Sequence, residues 1–135
     1  MTDPWHTARW LILGLIIGLL LLILALEIFA AEPPAIGTAS WYSVASAKAE
    51  GCSGVTASGD PLDDNGYTCA SWDYPMGTVL RVTHGDRVVY VLVNDRGPAR
   101  RLVEQGRIID LSVRAFRRLA PLSAGVIEVT VEVAK

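Results

Sequence analysis

Residues 91–112 read VLVNDRGPARRLVEQGRIIDLS, and this stretch decides how the chain folds. Its first half continues an apolar, β-prone run (88–93) into the turn Asn94-Asp95-Arg96-Gly97-Pro98. Gly97 offers no side chain to pack and Pro98 no N–H to pair, so the strand must stop there. Asp95 and Arg96 are thereby placed at its exposed mouth, where a carboxylate can do chemistry. The second half, GRIIDLS (106–112), predicts a short apolar strand ending at Asp110 and Ser112, with Ser112 set to N-cap a helix over 113–119. Asp110 sits among apolar neighbours, so a structural, hydrogen-bonding role is its first reading.

Working outward, the remaining sequence predicts short strands between turns. The candidates are 37–42, 55–57, 68–70, 78–83, 87–93, 108–111 and 126–133, the last alternating Val126, Glu128, Thr130 and Glu132 with Ile127, Val129, Val131 and Val133. Ser58-Gly59, Asp63-Asp64-Asn65-Gly66 and His84-Gly85-Asp86 supply turn chemistry. Many short strands with one late helix predict an all-β fold, a small closed barrel in preference to a sandwich.

The N-terminus has a different character. From Trp10 to Leu26 no residue is charged. Extended to Ala31, with Glu27 at the headgroups, the run reaches about 33 Å as a helix, enough for a hydrocarbon core of ~30 Å. It reads as a transmembrane helix or a secretory signal. A cleavable signal needs small residues at −3 and −1, whereas cutting after Ala31 or Ala30 puts Phe29 or Ile28 at −3. An uncleaved anchor is the expectation, with Arg9 on the cytoplasmic side against Glu27 and Glu32. The expected organisation is a cytoplasmic tip and anchor (1–31), a Pro33-Pro34 linker (32–36) and a domain (37–135). The protein is expected to be a single-pass membrane protein with that domain outside the cytoplasm, or secreted if the segment is cleaved.

Charge excludes some partners. The chain carries 12 Lys+Arg and 14 Asp+Glu. Leaving out Arg9 on one side and Asp3, Glu27 and Glu32 on the other leaves 11 of each in the domain, so no bulk charge points to nucleic acid. Arginines do cluster locally, at 96, 100, 101 and 107 and again at 114, 117 and 118. They are either solvated faces or a surface for an anionic partner.

Cys52 and Cys69 fall outside the membrane on this topology, where disulfides persist, so they are expected to be bonded. Closing that loop would stabilise by roughly 3 kcal/mol. No metal or other cofactor is expected: two thiolates and a turn histidine, His84, do not make a closed ligand set. A catalytic thiol lacks a partner base.

The series GTASWY (37–42), TASGD (56–60), TCASWDYPMGT (68–78), LRVT (80–83), VNDRGP (93–98), GRIIDLS (106–112) and the terminal VIEVTVEV resembles the rare lipoprotein A (RlpA) family. The likeness covers residues 37–135, in order. It implies a six-stranded double-psi β-barrel related in fold to barwin and the expansins, with a sugar-binding groove on one face. It also implies lytic transglycosylase activity on the glycan strands of peptidoglycan. The family site has an acidic residue ending the TASG motif, a histidine in the next motif and the aspartate of NDRGP. These positions hold Asp60, Ser71 and Asp95 here. Serine replaces the histidine, and that puts a second acid or base in doubt.

Lytic transglycosylation protonates the glycosidic oxygen and uses the sugar's own 6-hydroxyl as nucleophile, so one carboxyl group can act first as acid and then as base. Asp95 is the expected acid/base, with Asp60 as the like-charged neighbour that keeps it protonated and Ser71 orienting. Asp73 can partly substitute for the histidine. Tyr42, Trp72, Asp73 and Arg96 are the candidate substrate contacts, the two aromatics as stacking platforms. Plainer readings stand beside these: Asp60 and Asp73 as turn residues, Asp95 as an acceptor holding its loop, the aromatics as packing. A non-catalytic, expansin-like glycan-binding module is the second functional class.

Overall fold

The structure is a computed structural model that describes residues 4–28 and 32–135. The chain divides into two compact units at Glu32/Pro33. The first contains helix α1, Pro4–Ile28, with Pro4 at its first position, where a missing N–H costs nothing. Among the described residues no helix is long and apolar enough to cross a membrane. Phe29, Ala30 and Ala31, on which the cleavage-site argument turns, lie outside the described residues.

The second unit contains strands β1 (Ala35–Tyr42), β2 (Thr68–Ala70), β3 (Val79–His84), β4 (Arg87–Asp95), β5 (Arg107–Ser112) and β6 (Ile127–Val133). They close into a barrel in the order β1-β5-β2-β4-β3-β6. The pairs β1–β5 and β2–β4 are parallel and the other four antiparallel. β1 begins two residues earlier than the sequence reading put it, because Ala35 and Ile36 find partners in Val131 and Thr130 of β6.

Alternation along the strands explains the closure. In β4, Val89, Val91 and Val93 point inward and are buried, while Val88, Tyr90 and Leu92 remain exposed. Leu80, Val82, Ile109, Leu111, Ile127, Val129 and Val131 fill the barrel with them. Helix α4, Val113–Leu119, adds Ala115, Phe116 and Leu119 to this core. As the sequence predicts, the Ser112 hydroxyl caps α4 by accepting from the Ala115 N–H (3.4 Å).

Two other short helices were not legible. Helix α2, Val44–Ala49, starts at a capping box in which the Ser43 and Ser46 side chains satisfy each other's backbone N–H. Helix α3, Arg100–Val103, is a single turn after the NDRGP motif. Residues 55–57 form an isolated bridge, Val55 to Pro61, where a strand was predicted. The TASGD turn folds on itself there, with the Thr56 N–H donating to the Asp60 carbonyl (2.8 Å).

The two cysteines correct the disulfide expectation: both are free thiols. Cys69 points from β2 into the sealed core, where burial pushes its thiol up to about 12. Cys52 lies on the exposed loop after α2, so the two side chains belong to different environments.

Candidate active site

Strand β2 is three residues long, and its last residue organises the site. Ala70 pairs with Asp95 of β4 on one side and Asp110 of β5 on the other. Two strand spacings of about 4.8 Å put the two aspartates on the order of 10 Å apart along the sheet. Both line a cleft of about 360 Å³ together with Ser40, Tyr42 and Ala70. Glu50 and Cys52, just past α2, line it as well, as do Arg101 and Leu102 of α3. Gly97 keeps the space open between the aspartates. A methyl group there would stand 3.0 Å from the Ala70 Cβ and 3.7 Å from Asp110 Oδ2.

Asp95 is held from two directions. Its Oδ1 accepts the N–H of Ala57 (2.9 Å) and of Arg96 (2.8 Å), which ties the TASG turn to the strand end. The Ser58 N–H donates to the Asn94 carbonyl (3.0 Å) and strengthens that tie.

Asp110 sits deeper. Ser40, its register partner on β1, donates its hydroxyl to Asp110 Oδ1, and Arg107 donates to the same Ser40 hydroxyl oxygen. The Arg107 guanidinium is 3.9 Å from the carboxylate, and the two side chains are only 14% and 17% exposed. Burial raises the Asp110 pKa above the ordinary 3.8, against the lowering effects of Ser40 and Arg107, and Glu50 adds to the rise.

Tyr42 lies between these groups. Burial first, and then the charges of Asp95, Cys69 and Asp110, keep its phenol protonated far above the usual range. The hydroxyl senses Asp95 electrostatically but lies outside hydrogen-bond geometry, and it is buried without a hydrogen-bond partner among the described residues.

Residues 35–131 match the model of a double-psi β-barrel family described as lytic transglycolase. The chain belongs to that lytic transglycolase family. The RlpA resemblance read from the motifs is therefore met. Over 99 residues the chain is 39% identical to an endolytic peptidoglycan transglycosylase RlpA of Pseudomonas aeruginosa, covering 72% of this chain and 26% of the relative. The chain spans about a quarter of the length of these curated relatives. Among solved structures it resembles a Streptomyces papain inhibitor (TM-score 0.59, 25% identity, 78% of this chain and 98% of that one). It also resembles an expansin of Clavibacter michiganensis (TM-score 0.57, 26% identity, 76% and 51%).

The lytic transglycolase barrel sorts the predicted residues into those in the cleft and those outside it. Asp95, Arg96 and Tyr42 line it. Asp60 does not. It is exposed, and its Oδ2 accepts the Ser58 hydroxyl (3.0 Å) within the turn. Ser71 is fully buried, its N–H donating to the Asp95 carbonyl (3.1 Å) and its Oγ accepting weakly from the Asp73 N–H (3.3 Å).

Arg96, predicted to touch substrate, directs its guanidinium into the protein, donating to the carbonyls of Ser71 (2.7 Å) and Tyr74 (2.8 Å). Trp72 is 38% exposed. Its indole N–H donates to the Pro98 carbonyl (2.7 Å), and the Arg100 guanidinium stacks over its ring at 3.8 Å. Asp73 is exposed outside the cleft.

Four further residues line the cleft: Asp110, which the sequence reading took as structural, Arg101, which it placed only in a basic cluster, and Ser40 and Glu50, to which it gave no role. For Asp110 a signal existed. Ile109 and Leu111 are core residues, and strand alternation puts the residue between them on the opposite face. Nothing local marked Ser40 or Glu50, which reach the cleft only through barrel closure.

Proposed function

We propose that this protein is a lytic transglycosylase that cleaves the glycan strands of peptidoglycan without water, leaving 1,6-anhydro ends. The observation that carries the reading is the pair Asp95 and Asp110 in one cleft, in two different environments. Names of relatives that cover the barrel support the substrate class.

Asp110 is the acid, because burial keeps its proton at pH values where an exposed carboxyl has lost it. It protonates the glycosidic oxygen as the C1–O bond breaks. Asp95, held at the mouth of β4 by two backbone N–H groups, takes the proton of the 6-hydroxyl as O6 bonds to C1. One proton leaves Asp110 and one arrives at Asp95, and solvent exchange resets the pair. This division of roles replaces the expectation that Asp95 acts alone with Asp60 in support.

The test is to digest amidase-treated sacculi with the protein and search the products by mass spectrometry for anhydro sugar ends. Their appearance supports the reading, and hydrolytic ends or intact strands oppose it.

A non-catalytic, expansin-like glycan-binding role is the second reading. It is favoured by serine at the family's histidine position and by the likeness to a bacterial expansin. Strand binding without cleavage would select it.

We further infer that the 25-residue helix α1, with its long uncharged run, anchors the protein in the cell membrane and holds the barrel outside the cytoplasm. Recovery of the barrel in a soluble fraction without α1 would oppose the anchor.

A further inference from the structure

Among the described residues, carboxylates outnumber free cations in the cleft. Glu50, Asp95 and Asp110 line it, against two arginines. Arg96 has its guanidinium committed to the Ser71 and Tyr74 carbonyls. Arg101, exposed on α3, makes no ion pair or side-chain hydrogen bond among the described residues. Its neighbour Arg100 is occupied by stacking on Trp72. Among the described residues, one cation in the cleft is therefore available to a ligand.

The substrate of the proposed reaction brings its own negative charge. Each muramic residue carries a lactyl ether at O3 whose carboxyl is a free carboxylate wherever no peptide is attached. The same sugar supplies C1 and O6, the reacting atoms, so that carboxylate must enter the cleft with them. Glu50 and Asp95 repel it there, while a guanidinium fork can bind it through two parallel N–H donors.

We propose that Arg101 is a specificity-determining residue, whose guanidinium binds the free lactyl carboxylate of the muramic residue being cleaved. This rests on the transglycosylase reading of the cleft. It explains why a side chain with no ion pair or side-chain hydrogen bond among the described residues faces a site rich in acids.

The test uses stem-free glycan strands in two forms, untreated and coupled to methylamine so that each lactyl carboxylate becomes a neutral amide. Affinity for both is measured with the full chain, alongside the release of anhydro ends. Wild type should bind the untreated strands about tenfold more tightly, a conservative yield for one charge-assisted pair. Arg101→Ala should erase the difference by losing affinity for untreated strands alone, and Arg101→Lys should recover part of it. A wild type without preference, or an Arg101→Ala protein that keeps the full preference, overturns the proposal. Failure to release anhydro ends withdraws the transglycosylase reading by itself, while the affinity ratio still decides Arg101.

Discussion

Asp95 and Asp110 stand on either side of Ala70, one on β4 and one on β5, and face the same cleft. The three-residue strand β2 is thus the spacer between the two carboxyl groups. It is pinned at its end by the Ser71 N–H to the Asp95 carbonyl.

This relationship separates the acidic residues by position. Asp110→Asn should lower glycan cleavage by roughly 10²-fold or more through loss of the proton donor. Asp60→Asn, in an exposed turn outside the cleft, should stay within about twofold. Release of anhydro ends by the two purified variants checks both. Equal losses would return Asp60 to the site.

The raised pKa of Asp110 also has a stability signature. Below 3.8 the carboxyl is protonated in both folded and unfolded chains. As pH rises, the unfolded chain releases its proton first, and the folded protein loses stability until Asp110 too ionises. Thermal unfolding should therefore show a fall in stability beginning above the ordinary carboxylate value. Asp110→Asn should remove that component of the pH dependence, and an unchanged pH profile would contradict the burial argument.

Arg96 is assigned to the fold. Replacing it by alanine leaves the Ser71 and Tyr74 carbonyls without their charged donor, at a cost of about 2 kcal/mol. Denaturant unfolding of Arg96→Ala should report that loss. A variant of wild-type stability with weakened glycan binding would instead restore it as a substrate contact.

The thiols should titrate in two steps. Cys52 is exposed and should react with a thiol reagent in the native protein. Cys69, sealed in the core with its thiol pushed up to about 12, should react only after unfolding. Two thiols unreactive even in denaturant without reductant would indicate a disulfide after all.

Much of the barrel was legible because strand alternation and turn residues are local signals. The inward valines of β4, the Ser112 cap and the stop at Gly97-Pro98 all follow from near neighbours in sequence. The site was legible only in part. Asp95 announces itself at a strand end, but Asp110 looked structural because Ile109 and Leu111 surround it in sequence while Ser40 surrounds it in space. Asp60 and Ser71 were placed by motif position, which carries no information on exposure. One proved to be an exposed turn residue and the other a buried one. The disulfide was argued from compartment, and the inward direction of Cys69 on β2 overruled it.

The most direct measurement of the central claim compares wild type with Asp95→Asn on stem-free glycan strands, with products read by mass spectrometry. Asparagine keeps an oxygen to accept from Ala57 and Arg96, so the turn should survive while the proton acceptor is lost. The account predicts anhydro-ended fragments from wild type and a drop of at least about 10²-fold from a folded Asp95→Asn protein that still binds strands. Undiminished anhydro release by Asp95→Asn would contradict it.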